Sequence, residues 1–417
     1  MDLIDRYRYV ADITNLDGEP IDQLPVTPDW DAAVQWAHFR GVRRGLVQPL
    51  MRASSVTVKP LWHPDFGEPR VSGFQVILED AGGSGLGSPP AADSAPRFTI
   101  PRTYLGADVE RRTSRLVSEG KLFGGQRFLY QLSAFKKEAA RASRPATHAR
   151  GFRVEDVPQR LPLTTASLAA HIDNSAPQES PLDPILDRLA AGADMPVFIP
   201  ERVISEAKTL ARGAGDIETG GVLIGRLFRD SDSTEIFSVI TALIPARHTV
   251  ADHSSLTFTA ETWAAVRAAV ELRGENEILL GWIHSHPFWC RSCPHERRQL
   301  CPLMRPFFSR DDIALHRTVF PGAFNIAVLL SDLGESELRC DVYGWRFGMM
   351  MSRGYYLTGS EATESPIRPA NRRPALPGGE PASTCTDHTN VSGLDLDNAP
   401  KHEIGRDPRP TCGKKVP

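Results

Sequence analysis

Apolar positions along the chain recur in two rhythms, and each rhythm predicts an element. Over Trp30 to Arg40 they fall three and four residues apart, the spacing of a helix with one buried face. Runs rich in branched and aromatic residues at Ser55–Leu61, Gly73–Leu78 and Arg97–Ile100 read as strands. A second helical pattern, Asp108 to Leu122, leads into a strand-like run over Arg127–Ser133. These elements predict a small α+β domain over residues 1–135. From about residue 195 strands and helices alternate. Pro200 opens a helix with Val203, Ile204, Ala207, Leu210 and Ala211 on one face. Strands follow at Gly221–Leu227 and Phe237–Ile244, a helix at Ala260–Leu272, and a strand at Ile278–His284. A helix at Ser309–Arg317 and strands at Phe324–Leu330 and Glu337–Phe347 complete a mixed α/β domain over residues 195–358.

Between and after these blocks the rhythm is lost. Fourteen of the sixteen residues 81–96 are Gly, Ala, Ser or Pro, the composition of a flexible insert. Residues 136–194 read as a connector with a short helical pattern at Pro184–Ala191. Residues 359–417 hold nine prolines and no Phe, Trp or Tyr. Such a tail cannot bury enough apolar surface to offset the entropy of ordering it, so it is expected to be disordered.

The balance of 48 Lys+Arg against 51 Asp+Glu leaves no basic excess. Neither nucleic acid nor an anionic membrane is therefore expected as a partner. Met1–Val10 is charged and lacks the apolar core of a secretory signal. No apolar run approaches the roughly 18 residues that span a bilayer. The expected location is the cytoplasm. Six cysteines are too few for a disulfide scaffold, and three of them, Cys290, Cys293 and Cys301, fall close together. In a reducing compartment such a cluster points to metal.

Candidate chemistry lies in the second block, since the first has only isolated histidines, His38 and His63, and no cysteine. His284 and His286 stand two apart at the end of a strand, so they face the same side. They form either two corners of a zinc site or a chance pair of loop histidines. In Ser309-Arg310-Asp311-Asp312 an aspartate can supply a third corner, and Asp311 and Asp312 differ in direction by about 100°, so only one faces the histidines. Ser-x-x-Asp is also close to a capping box, so Ser309 can be a helix cap. Glu218 sits where a helix hands over to the Gly220-Gly221-x-Leu-x-Gly225 strand. It is either a solvated loop carboxylate or the base beside a metal-activated water.

Taken together, Glu218, the glycine-rich strand, Leu280-Gly-Trp-Ile-His284-Ser-His286-Pro and Ser309-x-x-Asp312-x-x-x-His316 resemble, in order and separation, the JAMM (MPN-plus) zinc metalloproteases of prokaryotic type. The resemblance covers about residues 200–350. It implies a cytidine-deaminase-like mixed sheet flanked by helices and an isopeptidase, deubiquitinase-like, acting at the C-terminus of a ubiquitin-like protein. By resemblance His284, His286 and Asp312 bind the catalytic zinc, Glu218 is general base and acid, and Ser309 donates to the oxyanion. The expected partners are the ubiquitin-like protein, its conjugates and enzymes of its conjugation system. Processing of a ubiquitin-fold sulfur carrier and a mainly scaffolding role are the alternatives, the second disfavoured because all five positions are filled.

The chain departs from this pattern in one place. The family keeps a short gap between His-x-His-Pro and the serine, whereas here residues 288–308 intervene. The insert carries Cys290-x-x-Cys293, His295 and Cys301, with zinc-like spacing. A second, structural zinc on these four residues is expected, with Cys340 as an alternative to His295; reduced thiols are the other reading. Phe288 and Trp289 are candidates to line a substrate channel, and Trp282, inside the strand, is read as packing.

Overall fold

Two sheets carry the apolar pattern. The structure is a computed structural model that describes residues 2–79, 95–137, 159–179, 194–247, 249–251, 256–274, 276–287, 308–334 and 336–359. The first sheet is built from β1 (Asp2–Asp5), β2 (Tyr7–Thr14), β3 (Pro20–Val26), β4 (Ser55–His63), β5 (Gly67–Leu78), β6 (Arg97–Pro101) and β7 (Leu129–Lys136). Its order is β1-β4-β5-β7-β2-β3, with β6 also on β5. Two helices, α1 (Asp31–Arg43) and α2 (Gly106–Ser118), lie on it. In β2 buried Tyr9, Ala11 and Ile13 alternate with the less buried Arg8, Val10, Asp12 and Thr14, so one face packs and the other is partly open to solvent. Trp30 fills the centre of this core, stacked on Tyr104 at 5.5 Å and edge-on to Phe74 at 4.9 Å.

The second sheet contains β8 (Leu163–Ala166), β9 (Ser175–Gln178), β10 (Val197–Pro200), β11 (Gly220–Asp230) and β12 (Ile236–Pro245). After a small hairpin, β13 (Thr249–Ala251) with β14 (Leu256–Phe258), it continues in β15 (Ile278–His286), β16 (Ile326–Ser331), β17 (Arg339–Arg346), β18 (Met349–Arg353) and β19 (Tyr355–Thr358). The order is β18-β17-β16-β15-β11-β12-β10-β19-β9, with β8 beside β11. Two of its strands, β8 and β9, with a short helix α3 (Leu168–Asp173) between them, come from the stretch expected as a connector. Every residue of β16 is buried, because the sheet is covered on both faces. On one face α4 (Glu201–Ala214) contributes Val203, Ile204, Ala207 and Ala211 to a core with Leu223, Ile283 and Val328. On the other, α5 (Ala260–Arg273) and α6 (Arg310–Val319) cover Val222, Trp282, Ala327 and Leu329. The pair β15 and β16 is parallel, and α6 lies between them in sequence. A parallel pair needs such a crossover, which brings the start of α6 to the carboxyl end of β15.

The two sheets belong to one compact unit. Phe39 and Val42 of α1 enter the core under α4, and Phe39 meets Phe324 at 5.9 Å. Trp36 meets Phe347 at 4.9 Å. Gly348 follows with φ +77°, and a Cβ there would lie 2.6 Å from the backbone of Ala33, so only glycine permits this approach. Arg43 pairs with Glu235 at 2.5 Å and donates to the Asp194 carbonyl at 2.8 Å. The helix α6 is tied to the first sheet's helices and loops as well, by Arg310 to Glu110 at 2.5 Å and Arg317 to Asp29 at 3.9 Å. Among the described residues no helix is long and apolar enough to cross a membrane. The insert expected over residues 81–96 falls almost wholly outside the described residues, as do the helical pattern at 184–191 and the tail beyond 359.

Candidate metal centre

The centre is assembled at the carboxyl end of β15. Alternation along the strand turns Trp282, His284 and His286 to the α6 face and Ile283 and Ser285 to the α4 face. The two imidazole Nε2 atoms lie 3.2 Å apart. Asp312 arrives from the first turn of α6, its Oδ1 3.3 Å from His284 Nε2 and its Oδ2 3.7 Å from His286 Nε2. All three residues can present one donor atom within 4.8 Å of the others. His284, His286 and Asp312 are 1%, 6% and 9% exposed, too little for bulk water to offset three crowded lone-pair donors. The neighbouring Asp311 is exposed, so the pair divides as a single helical step requires.

Ser309 is the N-cap of α6. The Asp312 N–H donates to its Oγ at 3.0 Å, and the Ser309 N–H donates to Asp312 Oδ2 at 2.7 Å, a reciprocal capping box. Oδ2 is thus engaged by the backbone, and Oδ1 is the oxygen turned to His284. The Ser309 hydroxyl accepts in the cap, so its own proton is left to donate elsewhere. Burial works against the charge on Asp312, but His284 and hydrogen bonds with His284, His286 and Ser309 overcome it and hold the carboxyl well below the usual carboxylate range. Burial, reinforced by His284 and opposed by Asp312, holds His286 below the ordinary histidine range. A depressed imidazole pKa favours the neutral form, which is the form that binds metal.

Glu218 is buried at the same place, its Oε1 3.9 Å from His286 Nε2. A backbone clamp holds it there. The Ser285 N–H donates to the Thr219 carbonyl at 2.8 Å, and the Thr219 N–H donates to Ser285 Oγ at 3.1 Å. The serine between the histidines thereby ties β15 to the residue beside Glu218. Gly220 lies next, opposite His284, and a Cβ on it would sit 2.1 Å from the Ile283 carbonyl oxygen. The glycine lets the two strands close enough for the clamp.

Whether this donor set fits zinc can be tested on its distances. Tetrahedral zinc with ligands at about 2.0–2.2 Å sets neighbouring donors about 3.3–3.6 Å apart. Two of the three observed separations, 3.2 Å and 3.3 Å, lie close to that edge, and the third, His286 to Asp312 at 3.7 Å, is slightly longer. Two imidazoles, one carboxylate and no fourth protein ligand among the described residues make the donor count of a catalytic rather than a structural zinc.

Phe308, immediately before the cap, has its ring 5.8 Å from His284 and is stacked on Tyr343 at 4.8 Å. Trp282 is 1% exposed, stacked on His284 at 4.4 Å and 10°, and donates from Nε1 to His316 Nδ1 at 3.1 Å. Trp282 packs in the core as expected, and its stacking on His284 follows from the alternation that sets both on one face of β15. Cys290, Cys293, His295 and Cys301, with Phe288 and Trp289, lie outside the described residues. Cys340, the alternative fourth ligand, packs on the α4 face of the sheet rather than the histidine face, and burial pushes its thiol up to about 11.

No curated protein matches the chain. Among solved structures it is similar to the solution structure of protein DSY2949 from Desulfitobacterium hafniense, at 20% identity and TM-score 0.25, over 39% of this chain and 93% of that one. Residues 196–296 match the family model described as JAB1/Mov34/MPN/PAD-1 ubiquitin protease, a match that takes in Glu218, His284 and His286, ends before Ser309 and Asp312, and supports the MPN/JAMM family for this block.

Proposed function

We propose that the protein is a zinc-dependent peptidase or isopeptidase that cleaves at the C-terminus of a ubiquitin-like protein, either removing it from a conjugate or trimming a precursor. The observation that carries this reading is the convergence of His284, His286 and Asp312, with Glu218 buried 3.9 Å from His286. His284, His286 and Asp312 would hold the ion. Zinc bound there supplies Lewis-acid polarisation and a water acidic enough to react near neutral pH. Glu218 takes the proton of the attacking water on a carboxylate oxygen and returns it to the leaving amine nitrogen. Ser309 donates its hydroxyl proton to the oxygen that gains charge as the carbonyl becomes tetrahedral. The depth of the site favours an extended, narrow chain end over a folded surface as the group that enters. The partners are the modifier and its conjugates, and the site of action is the cytoplasm. Processing of a ubiquitin-fold sulfur carrier uses the same groups, and the two differ only in the tail that is cut.

A panel of ubiquitin-like fusions with C-terminal extensions tests the reading. Wild type cleaves at least one, while Glu218→Gln loses about 100-fold or more in rate yet keeps its zinc. Equal cleavage by both removes Glu218 from the mechanism, and a zinc-free wild type leaves the scaffold reading. Zinc counting on the same samples tests the cysteine cluster. Two ions per chain, falling to one in Cys290→Ser with Cys293→Ser, are expected; one ion in both proteins rejects the second site.

A further inference from the structure

A zinc-bound histidine almost always donates its second ring N–H to a carboxylate, carbonyl or water, which fixes the plane of the ring. Among the described residues His284 departs from this. Its Nδ1 is buried and has no hydrogen-bond partner among the described residues. What contacts its ring broadly is Trp282, at 4.4 Å and nearly parallel. The indole is fixed in turn. It donates from Nε1 to His316 Nδ1, and His316 stands on α6, one turn beyond Asp312. Because an indole N–H only donates, Nδ1 of His316 must accept. Its Nε2 has no partner among the described residues, and the ring lies against Trp345 at 5.2 Å and Phe320 at 5.9 Å. Among the described residues the bond from Trp282 is the polar contact of the His316 side chain.

The geometry assigns Trp282 and His316 as a positioning pair: the His316-anchored indole sets the plane of His284 and fixes β15, which carries two ligands, against α6, which carries the third. The inference rests on the metal reading of the site. Among the described residues the pair does for His284 what a hydrogen bond at Nδ1 would do. It does so through a face-to-face contact, which resists tilting of the imidazole but leaves rotation in its plane less restrained. Neither residue touches substrate or the reacting atoms.

The test is zinc affinity by competition with a chromophoric chelator, together with the visible absorption of the cobalt(II)-substituted protein, whose bands report coordination geometry. Circular dichroism and urea midpoints verify folding. His316→Leu removes the acceptor and is expected to weaken zinc binding about 10- to 100-fold and to shift the cobalt bands. His316→Gln keeps an acceptor near Nδ1 and is expected to recover most of both. Trp282→Phe keeps an aromatic ring but loses the donor, and is expected to resemble His316→Leu. The double variant should be no worse than either single one, because the two act as a unit. Should His316→Leu fail to fold, Trp282→Phe and His316→Gln carry the same comparison. Zinc affinity and cobalt spectra unchanged in folded Trp282→Phe or His316→Leu would overturn the inference. So would additive losses in the double variant. A wild type that binds no zinc would instead overturn the metal reading on which the inference stands.

Discussion

Ser309 shows how one side chain can serve structure and chemistry together. Its oxygen caps α6 by accepting from Asp312 N–H, and its proton stays available for a developing oxyanion. The two roles separate by substitution. Glycine at an N-cap costs only about a few tenths of a kcal/mol, whereas alanine costs about 1 kcal/mol. Ser309→Gly is therefore expected to retain zinc and nearly all its stability while its kcat falls about 100-fold, the usual loss for one oxyanion donor. Ser309→Ala should lose the same rate and also melt earlier. Calorimetry beside single-turnover cleavage of the best fusion substrate measures both. Full activity in Ser309→Gly would reduce Ser309 to a cap.

At the scale of elements, β15 and α6 are held by groups whose protonation matters to the fold. Burial pushes His316 down to about 3 from an ordinary value of 6.5. Between those values the unfolded chain binds a proton that the folded site refuses, so His316 favours unfolding progressively as pH falls below about 6.5. Its neutral packing stabilises fully above that pH, and the loss over the window is on the order of a few kcal/mol at most. The urea midpoint of wild type should therefore fall more steeply from pH 6.5 to 4 than that of His316→Gln, and parallel curves would exclude a buried neutral histidine. Which elements were legible in the sequence follows from similar physics. Strands buried on both faces, such as β11, β15 and β16, read as apolar runs, and α4 and α5 showed helical spacing ended by glycine. The strands β1 to β3 were not read as such, because Asp2, Asp5, Arg8 and Asp12 break the runs and only every second position of β2 is buried. The short polar β8 and β9 were missed for another reason. They gain their place from the backbones of β11 and β19, which no local pattern announces. The ligand positions themselves were visible in their spacing; the bridge from Trp282 to His316 depends on where a crossover sets a helix and could not be seen.

On the scale of the whole molecule, polar groups buried between the two sheets join what sequence alone separates. Asp194 accepts from Arg346 Nε at 3.0 Å, its backbone carbonyl accepts from Arg43 of α1, and the adjacent Met195 carbonyl accepts from Arg353. Arg346 and Arg353 are only 4% and 5% exposed, so neither can find water if the carboxylate is removed. Burial opposes the charge on Asp194, yet Arg353, Arg346 and Arg43 outweigh it and hold its carboxyl below the usual range. Such a cluster contributes little net energy relative to apolar packing, but removing one partner leaves buried charge uncompensated. The N-terminal sheet reaches this cluster through α1 and reaches the metal-bearing helix through Glu110 and Asp29. Alanine at 194 keeps the main-chain carbonyl that Arg43 uses but removes the carboxylate whose charge balances Arg353, Arg346 and Arg43, so the loss should reach the docking of the first sheet through Arg43 as well as the strands that carry the other two arginines. Asp194→Ala is expected to cost about 3–5 kcal/mol, read as a lower urea midpoint with increased proteolysis between the two sheets. Glu337→Ala is the control, since Glu337 is 68% exposed and pairs with Lys208 and Arg212 at the surface, where pairs contribute about 0–1 kcal/mol. If the two variants lose stability equally, the buried cluster does no more for the assembly of the sheets than a surface pair, and the first sheet must be held to the second by its other contacts, the packing of Trp36, Phe39 and Val42 and the pairs Arg43–Glu235, Arg310–Glu110 and Arg317–Asp29.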